Sequence, residues 1–598
     1  TGTGRGHLRR WGPQAAIVDV AAAALAVLVV SGGDDGEGDE AVSTETSEAD
    51  DGGDTGGDGT GDADPSEGDD SGDGGGEGSE SGVDDPYADG IVSFSEAVAA
   101  GIEAEIDWGE RCDTELGTYA YPDFFAAECV APWEGDNGGE TYPGVTADTI
   151  RIVWYAQPDV DPVYDYITGP INNDDTSDEV FATVQGLVEF YGSFFELYGR
   201  EVELIRYNAT GGSDDEVAAR ADAETIARDI RPFMVWNAPT LVSLQFAETL
   251  AANEVICMCG GGQLARENIP FMHTIVKSAE QSRVLLAEYI GRRLAGRNAE
   301  HSGDFTDQER VFGYLYIETS DQSTQTADNF RDRLADEYGV DLADMVPFTL
   351  DPASLQEQAA TKIARMKEGG VTSIIFAGDP ISPKDFTLEA TAQQYFPEWI
   401  LAGTALVDTN VFGRTYDQEQ WRHAFGISNT DTPVAREQGG YHFLYNWFHG
   451  EPPAAADTIP VLYHPAVFFP IMQGTGPDLT PENYFSTMFD APPTPQGQIT
   501  NPSISWGDQG IWDGEFVPDV NGIDDVSEVW WDPDEAGLDE LERDGVGMYQ
   551  YVGGGTRYLP GEWPDSAPDV FNPDNAESFY EQPPASETPP DYPSPAAG

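Results

Sequence analysis

Apolar and polar positions along the chain change period in a regular order. Thr149-Ile150-Arg151-Ile152-Val153-Trp154-Tyr155 is a short apolar run that predicts a buried strand. Val180, Val184, Leu187, Val188, Tyr191, Phe194, Phe195 and Tyr198 then recur at helical spacing. They form one apolar face over about five turns. Glu201–Tyr207 predicts a second strand, and Ser213 with Glu216 reads as a capping box for a helix to about Ile230. Strand Pro232–Trp236, helix Leu241–Ala252 and strand Glu254–Cys259 close this series.

A second series follows. Ser278 and Gln281 form a capping box ahead of Val284, Leu285, Ala287, Tyr289 and Ile290. Strand Val311–Ile317 precedes a helix through Phe330 and Leu334. Strand Met345–Leu350, helix Leu355–Lys367 ended by Gly369, strand Val371–Phe376, a helix around Phe386–Gln394 and strand Trp399–Ala402 come next. Strict alternation of strand and helix implies parallel sheets covered by helices and joined by right-handed crossovers. The expected fold class is α/β: two doubly wound parallel-sheet lobes joined by a hinge.

Outside the lobes the pattern is weaker. Arg5, His7, Arg9 and Arg10 precede an apolar run, Ala15–Val30, broken only by Asp19. Residues 1–31 therefore read as an export signal or a membrane anchor. The run is shorter than the ~20 residues a spanning helix needs. Residues 32–90 are almost entirely Gly, Asp, Glu, Ser and Thr, and read as a disordered acidic linker. Residues 91–146 read as an N-terminal extension, 147–272 as the first lobe (completed by about 405–490), and 273–404 as the second lobe. Residues 491–575 read as a C-terminal extension packed on the lobes, with Val526–Trp531 an edge strand. Residues 576–598 are Pro-rich and read as a disordered tail.

Charge narrows the functions. The chain has 109 acidic and 28 basic side chains, a formal net charge of -81. Nucleic-acid binding needs Lys and Arg to replace phosphate counterions, so it is not expected. Lysine occurs only at Lys277, Lys362, Lys367 and Lys384. An Asp/Glu-rich, Lys-poor surface suits concentrated salt, where self-repulsion is screened. The four cysteines fall in two groups. Cys112 and Cys129, in a loop-rich segment, are expected to form a disulfide, which export permits. Cys257 and Cys259 form a C-x-C pair on one side of a strand. A zinc half-site or redox pair, two buried thiols and a strained bridge all remain open for them. No second cluster completes a metal site, so no metal or cofactor is expected.

Several stretches carry a resemblance. Gly144-Val145-Thr146 running into Thr149–Trp154, Phe271-Met272-His273-Thr274 ahead of the Glu280-Gln281 helix, and Ile363–Phe376 with Gly378-Asp379-Pro380 do so in order. Pro397-Glu398-Trp399-Ile400 and Gly476-Pro477-Asp478-Leu479-Thr480-Pro481 extend it. Over roughly 145–490 the chain resembles the branched-chain amino-acid-binding family of type I periplasmic binding proteins, the solute receptors of ABC importers. The resemblance implies a monomeric, exported, non-enzymatic protein that closes two lobes on a small molecule and delivers it to a membrane permease. It also implies an amino acid or a related amide or peptide as ligand.

Ligands of open α/β sheets bind beyond the carboxyl ends of the strands. This selects Tyr155, Gln157, Asn237, Thr240, Gly260 and Gly261 from the first lobe. From the second it selects Glu318, Thr319 and Asp379, with Thr404 at the hinge or rim. A helix beginning near Thr240 would face an anion, and Glu318 or Asp379 an ammonium. A ligand-sensing receptor on the same fold is one competing reading. A secreted hydrolase is another, but G-x-S-x-G, H-E-x-x-H and P-loop motifs do not occur. A surface-layer or adhesion role would need repeats, which are not seen beyond the two lobes.

Overall fold

The computed structural model describes residues 91–169, 172–259, 268–319, 321–404 and 406–597. The segments read as export signal and acidic linker lie outside them. The N-terminal extension holds a two-stranded antiparallel pair, β1 (Cys112–Asp113) and β2 (Thr118–Tyr119). The expected Cys112–Cys129 disulfide ties it. Cys257 and Cys259 are buried, and their sulfurs are placed in contact.

The first lobe is built on five parallel strands: β3 (Thr149–Ala156), β4 (Glu201–Asn208), β5 (Met234–Trp236), β6 (Ile256–Met258) and β7 (Met272–His273). Their order is β4-β3-β5-β6-β7. The second lobe repeats that order with β8 (Phe312–Ile317), β9 (Asp344–Phe348), β10 (Ser373–Ala377), β11 (Glu398–Ala402) and β12 (Ala424–Ser428), as β9-β8-β10-β11-β12. Both are doubly wound sheets in which the strand order reverses beside the first strand. The expected α/β class with two such lobes is what the chain forms.

Why these strands are parallel is legible in their burial. Along β10, Ile374 and Phe376 enter one apolar cluster while Ile375 and Ala377 enter another on the opposite face. A strand covered on both faces reads as a continuous apolar run, not an alternating one. Gly426 in β12 is required by contact: a Cβ there would lie 2.4 Å from the Leu401 carbonyl oxygen, and its φ is +152°.

Four expectations are corrected. The helix Glu216–Thr225 is capped by Asp215, whose carboxylate accepts from the Ala218 N–H at 2.9 Å. Ser213 instead donates its backbone N–H to Asp161 at 2.6 Å. Strand β12 lies within 405–490 yet pairs with the second-lobe sheet, so only helices from Gly440 to Asp490 return to the first lobe. Val526–Trp531 belongs to a longer strand, β13 (Val526–Leu538), which is not an edge. It runs antiparallel between β12 and β14 (Asp544–Val552). Finally, 576–597 is not a loose tail. Two short strands, β15 (Arg557–Tyr558) and β16 (Ala576–Glu577), extend the sheet. Beyond them Glu587 is buried and accepts from Ile499 and Thr500 N–H groups, both at 3.0 Å. Proline-rich chain thus stays ordered by side-chain hydrogen bonds where it lacks a ladder.

Three segments cross between the lobes: 274–278, 429–439 and 491–525. They lie side by side, with Thr274 N–H donating to Val520 O and Ile523 N–H to Ile275 O. Their polar groups satisfy one another. Lys277 Nζ donates to Asp525 O at 2.6 Å and to Asn429 Oδ1 at 3.2 Å, and Arg557 Nε donates to Asp525 Oδ1 at 2.9 Å.

Candidate functional site

At the carboxyl ends of β3, β5 and β6 the first lobe holds a cavity of about 300 Å³. Its floor is Trp154 and Ala156 of β3 and Cys259 after β6. Strand parity decides which side chains reach it. Trp154 and Ala156 face the cavity, so Tyr155 must face the other way. Its hydroxyl donates to Asp222 Oδ2 at 3.0 Å, and its ring stacks on Tyr207. Tyr155, read from the sequence as a ligand contact, therefore points away from the cavity, and its neighbour Trp154 lines it.

Gln157, Asn237 and Thr240 do line the cavity. Gln157 Nε2 donates to Thr240 Oγ1 at 2.8 Å and to Ala238 O at 2.9 Å. Asn237 sits at φ +67°, a conformation Asn tolerates better than most residues. Its Nδ2 donates to Tyr155 O at 2.8 Å, clamping the ends of β3 and β5 together. Gly260 and Gly261 lie outside the described residues. Thr240 is not the helix start: the helix runs Ser243–Ala252, and Ser243 lines the cavity.

The other wall comes from chain far away in sequence. Tyr463 and His464 begin the helix that packs under β3 and β5. The His464 ring stacks on Tyr463 with centroids 4.2 Å apart and meets Trp154 edge-on at 5.3 Å. Burial, with His273 nearby, pushes its pKa down to about 3, so the imidazole is neutral. Helix Pro162–Thr168 and the loop after it supply Tyr164, Asp165, Asp174 and Asp175. Burial first, then the Asp175, Asp161 and Asp165 carboxylates, push the Tyr164 phenol up to about 12. Two polar atoms in this wall, Ser243 Oγ and His464 Nδ1, are buried with no hydrogen-bond partner among the described residues.

The second-lobe candidates are placed differently, and none of them lines the cavity. Asp379 is 0 % exposed. Its carboxylate accepts from the Ile381 and Ser382 N–H groups at 2.9 and 2.7 Å and from Ser382 Oγ at 2.6 Å. It holds the start of its own helix and has no side open to a ligand. Glu318 accepts from Thr324 Oγ1 at 3.0 Å, Thr319 N–H donates to Ser323 Oγ at 3.0 Å, and Thr404 Oγ1 accepts from Gly378 N–H at 3.3 Å. The lobes meet beside the cavity. Tyr166, on the same helix as Tyr164, packs against the second-lobe apolar cluster. Arg543 on the β13–β14 hairpin donates to Asn172 O and Asp457 Oδ2, both at 3.1 Å.

Sequence reasoning missed Trp154, Ser243, Tyr164, Tyr463 and His464. Parity along β3 would have found the first. The rest depend on which helices return to the first lobe, which no local pattern records.

No protein-family model matches the chain, and no curated protein matches it. Solved structures similar to it include solute-binding proteins of ABC transporters. One, from R. palustris in complex with 4-hydroxybenzoate, is 11% identical with a TM-score of 0.47, covering 70% of this chain and 99% of its own. A branched-chain amino acid transporter substrate-binding protein from Streptococcus pneumoniae, in complex with isoleucine, is 11% identical with a TM-score of 0.44, covering 68% and 100%. A fatty acid ABC transporter substrate-binding protein from Thermomonospora curvata is 10% identical with a TM-score of 0.47, covering 72% and 98%.

Proposed function

We propose that this chain is an extracytoplasmic solute-binding protein that closes its lobes on a small polar molecule and presents it to the permease of an ABC importer. The observation that carries the reading is the first-lobe cavity. It sits at the strand ends where doubly wound sheets bind ligands, and two buried polar atoms of its lining residues have no partner among the described residues. Such atoms cost free energy until something satisfies them. Helix Pro162–Thr168 supports the closure step. It puts Tyr164 on the cavity and Tyr166 against the second lobe, so an occupant that orders this helix favours the closed arrangement. The Cys112–Cys129 disulfide suits an oxidising compartment. Among the described residues no helix is long and apolar enough to cross a membrane.

An amino acid held by its carboxylate on the first lobe, the arrangement expected from the sequence, lacks support among the described residues: the Ser243–Ala252 helix offers Ser243 Oγ, and no Lys or Arg of those residues lines the cavity. The test is thermal unfolding of the chain against small solutes. A ligand at ~100 times its Kd adds about 2.7 kcal/mol. A saturable rise in Tm with one class of solute is expected. No rise with any class, on protein shown to be folded, would overturn the reading.

A further inference from the structure

Taking the cavity as the solute site, we infer that it selects a small organic cation, and turns away carboxylate anions. The carboxylates of Asp159, Asp165, Asp174 and Asp175 line it, and among the described residues no Lys or Arg does. In a chain with 109 acidic and 28 basic residues, that excess alone would not single out a site. Two further observations do.

First, the floor and walls are aromatic. Trp154, Tyr164, Tyr463 and His464 all face the cavity. Trp and Tyr ring faces attract an ammonium group, most strongly where water is excluded, and aromatic enclosures are how quaternary ammonium groups are recognised. The one ring there that could become a cation is held neutral, since His464 sits near pKa 3. A carboxylate entering would meet like charge and find no counter-ion among the described residues.

Second, Ser243 and His464 line this cavity, and Ser243 Oγ and His464 Nδ1 are buried without a hydrogen-bond partner among the described residues. They fit a hydroxyl or an N–H carried on the same ligand. The acidic groups are spread round a mouth too wide for one ion: among the described residues no three His, Cys, Asp or Glu side chains are placed to hold a metal. Asp159 and Asp175 are also tied to loop N–H groups, at 2.7 Å to Ser177 and 2.7 Å to Thr458. This leaves a diffuse negative field over an aromatic box, which suits a cation of several atoms.

The experiment is calorimetric titration of the full chain with choline, putrescine, 3,3-dimethyl-1-butanol (the uncharged analogue of choline), isoleucine, 4-hydroxybenzoate and calcium chloride. Saturable binding of choline or putrescine is expected, with the uncharged analogue at least ten-fold weaker. Asp165→Asn with Asp174→Asn, at exposed positions that leave the fold intact, should weaken the cation several-fold. Tyr164→Leu should weaken choline by ten-fold or more. Isoleucine, 4-hydroxybenzoate or the alcohol binding as well as choline would overturn the inference and leave solute binding standing. So would calcium binding that the double Asn variant abolishes while organic cations do not bind. If no probe binds the folded protein, this inference falls, and the wider thermal screen alone decides the solute-binding reading.

Discussion

The two lobes share one strand order, yet the ends of their strands do opposite things. In the second lobe Asp379, Glu318 and Thr404 are spent on hydrogen bonds within the lobe. In the first lobe Gln157 and Thr240 pair at the edge of a cavity, and Ser243 Oγ and His464 Nδ1 have no partner among the described residues. Topology places a strand end where a ligand can sit. Whether the side chain there is free depends on local capping and on which distant segment packs alongside. These second-lobe side chains hold the fold, while at the first-lobe cavity two buried polar atoms have no partner among the described residues.

The largest test of that contrast is Glu398→Ala in β11. The Glu398 and Arg310 side chains are both 0 % exposed and pair through two contacts, at 2.7 and 2.9 Å. Ser373 Oγ and the His301 N–H also donate to this carboxylate, at 2.6 and 3.2 Å. Removing one partner strands a buried charge, so about 3–5 kcal/mol of stability should be lost. Denaturant unfolding measures it, and solute affinity of the protein that remains folded should not move. A loss under about 1 kcal/mol would mean the second lobe's polar core is no more structural than a surface pair.

Between the lobes, Lys277 sharpens the picture through pH. Burial pushes its pKa down to about 7, against partial compensation by Asp525, with Arg557 lowering it further and Asp524 and Asp519 raising it. Between about 7 and the ordinary 10.5 the unfolded chain holds a proton the folded chain lacks, so stability rises with pH across that window. Below it both states are protonated and the contribution is constant at its lowest. From pH 7 to 9 this group alone should add roughly 2 kcal/mol. Urea unfolding of Lys277→Met should lack that rise; an equal pH slope in both proteins would show the crossover segments are open to water.

Asp379→Ala follows, with a loss of about 2 kcal/mol from a buried carboxylate bonded to two backbone N–H groups and a hydroxyl. Affinity for any solute the cavity takes should be unchanged. Weakened affinity with little loss of stability would return Asp379 to the ligand and dissolve the contrast between lobes.

That residue also shows what the sequence could tell. Most strands and helices of the lobes were legible, because a sheet covered on both faces writes continuous apolar runs and its helices write one apolar stripe each. Ser278 with Gln281 forms the expected capping box. The β13–β14 hairpin was half legible: Val526–Trp531 reads as a strand, but its partner is interrupted by Gly545 and Gly547 and lost its signal. Strand β12 was missed because Ala424-Phe425-Gly426-Ile427-Ser428 is short and carries a glycine its neighbour demands. The site was legible in position and not in membership. Gln157, Asn237 and Thr240 followed from strand ends, Tyr155 failed on parity, and His464 arrives from a helix over two hundred residues away.

The smallest stability effect is the most discriminating. Ser243 is the first residue of its helix, 1 % exposed, and its hydroxyl has no partner among the described residues. In the empty protein, Ser243→Ala removes an unsatisfied buried group and installs the best helix former. Stability should stay within about 0.5 kcal/mol or increase, against the usual direction for a buried substitution. With solute bound the sign reverses. If the ligand supplies the missing partner, affinity should fall five- to ten-fold, about 1–1.4 kcal/mol. A fold that gains while binding loses is what a cavity wall built for a guest predicts. If stability and affinity both fell, Ser243 would be one more structural hydroxyl, and the first lobe no different from the second.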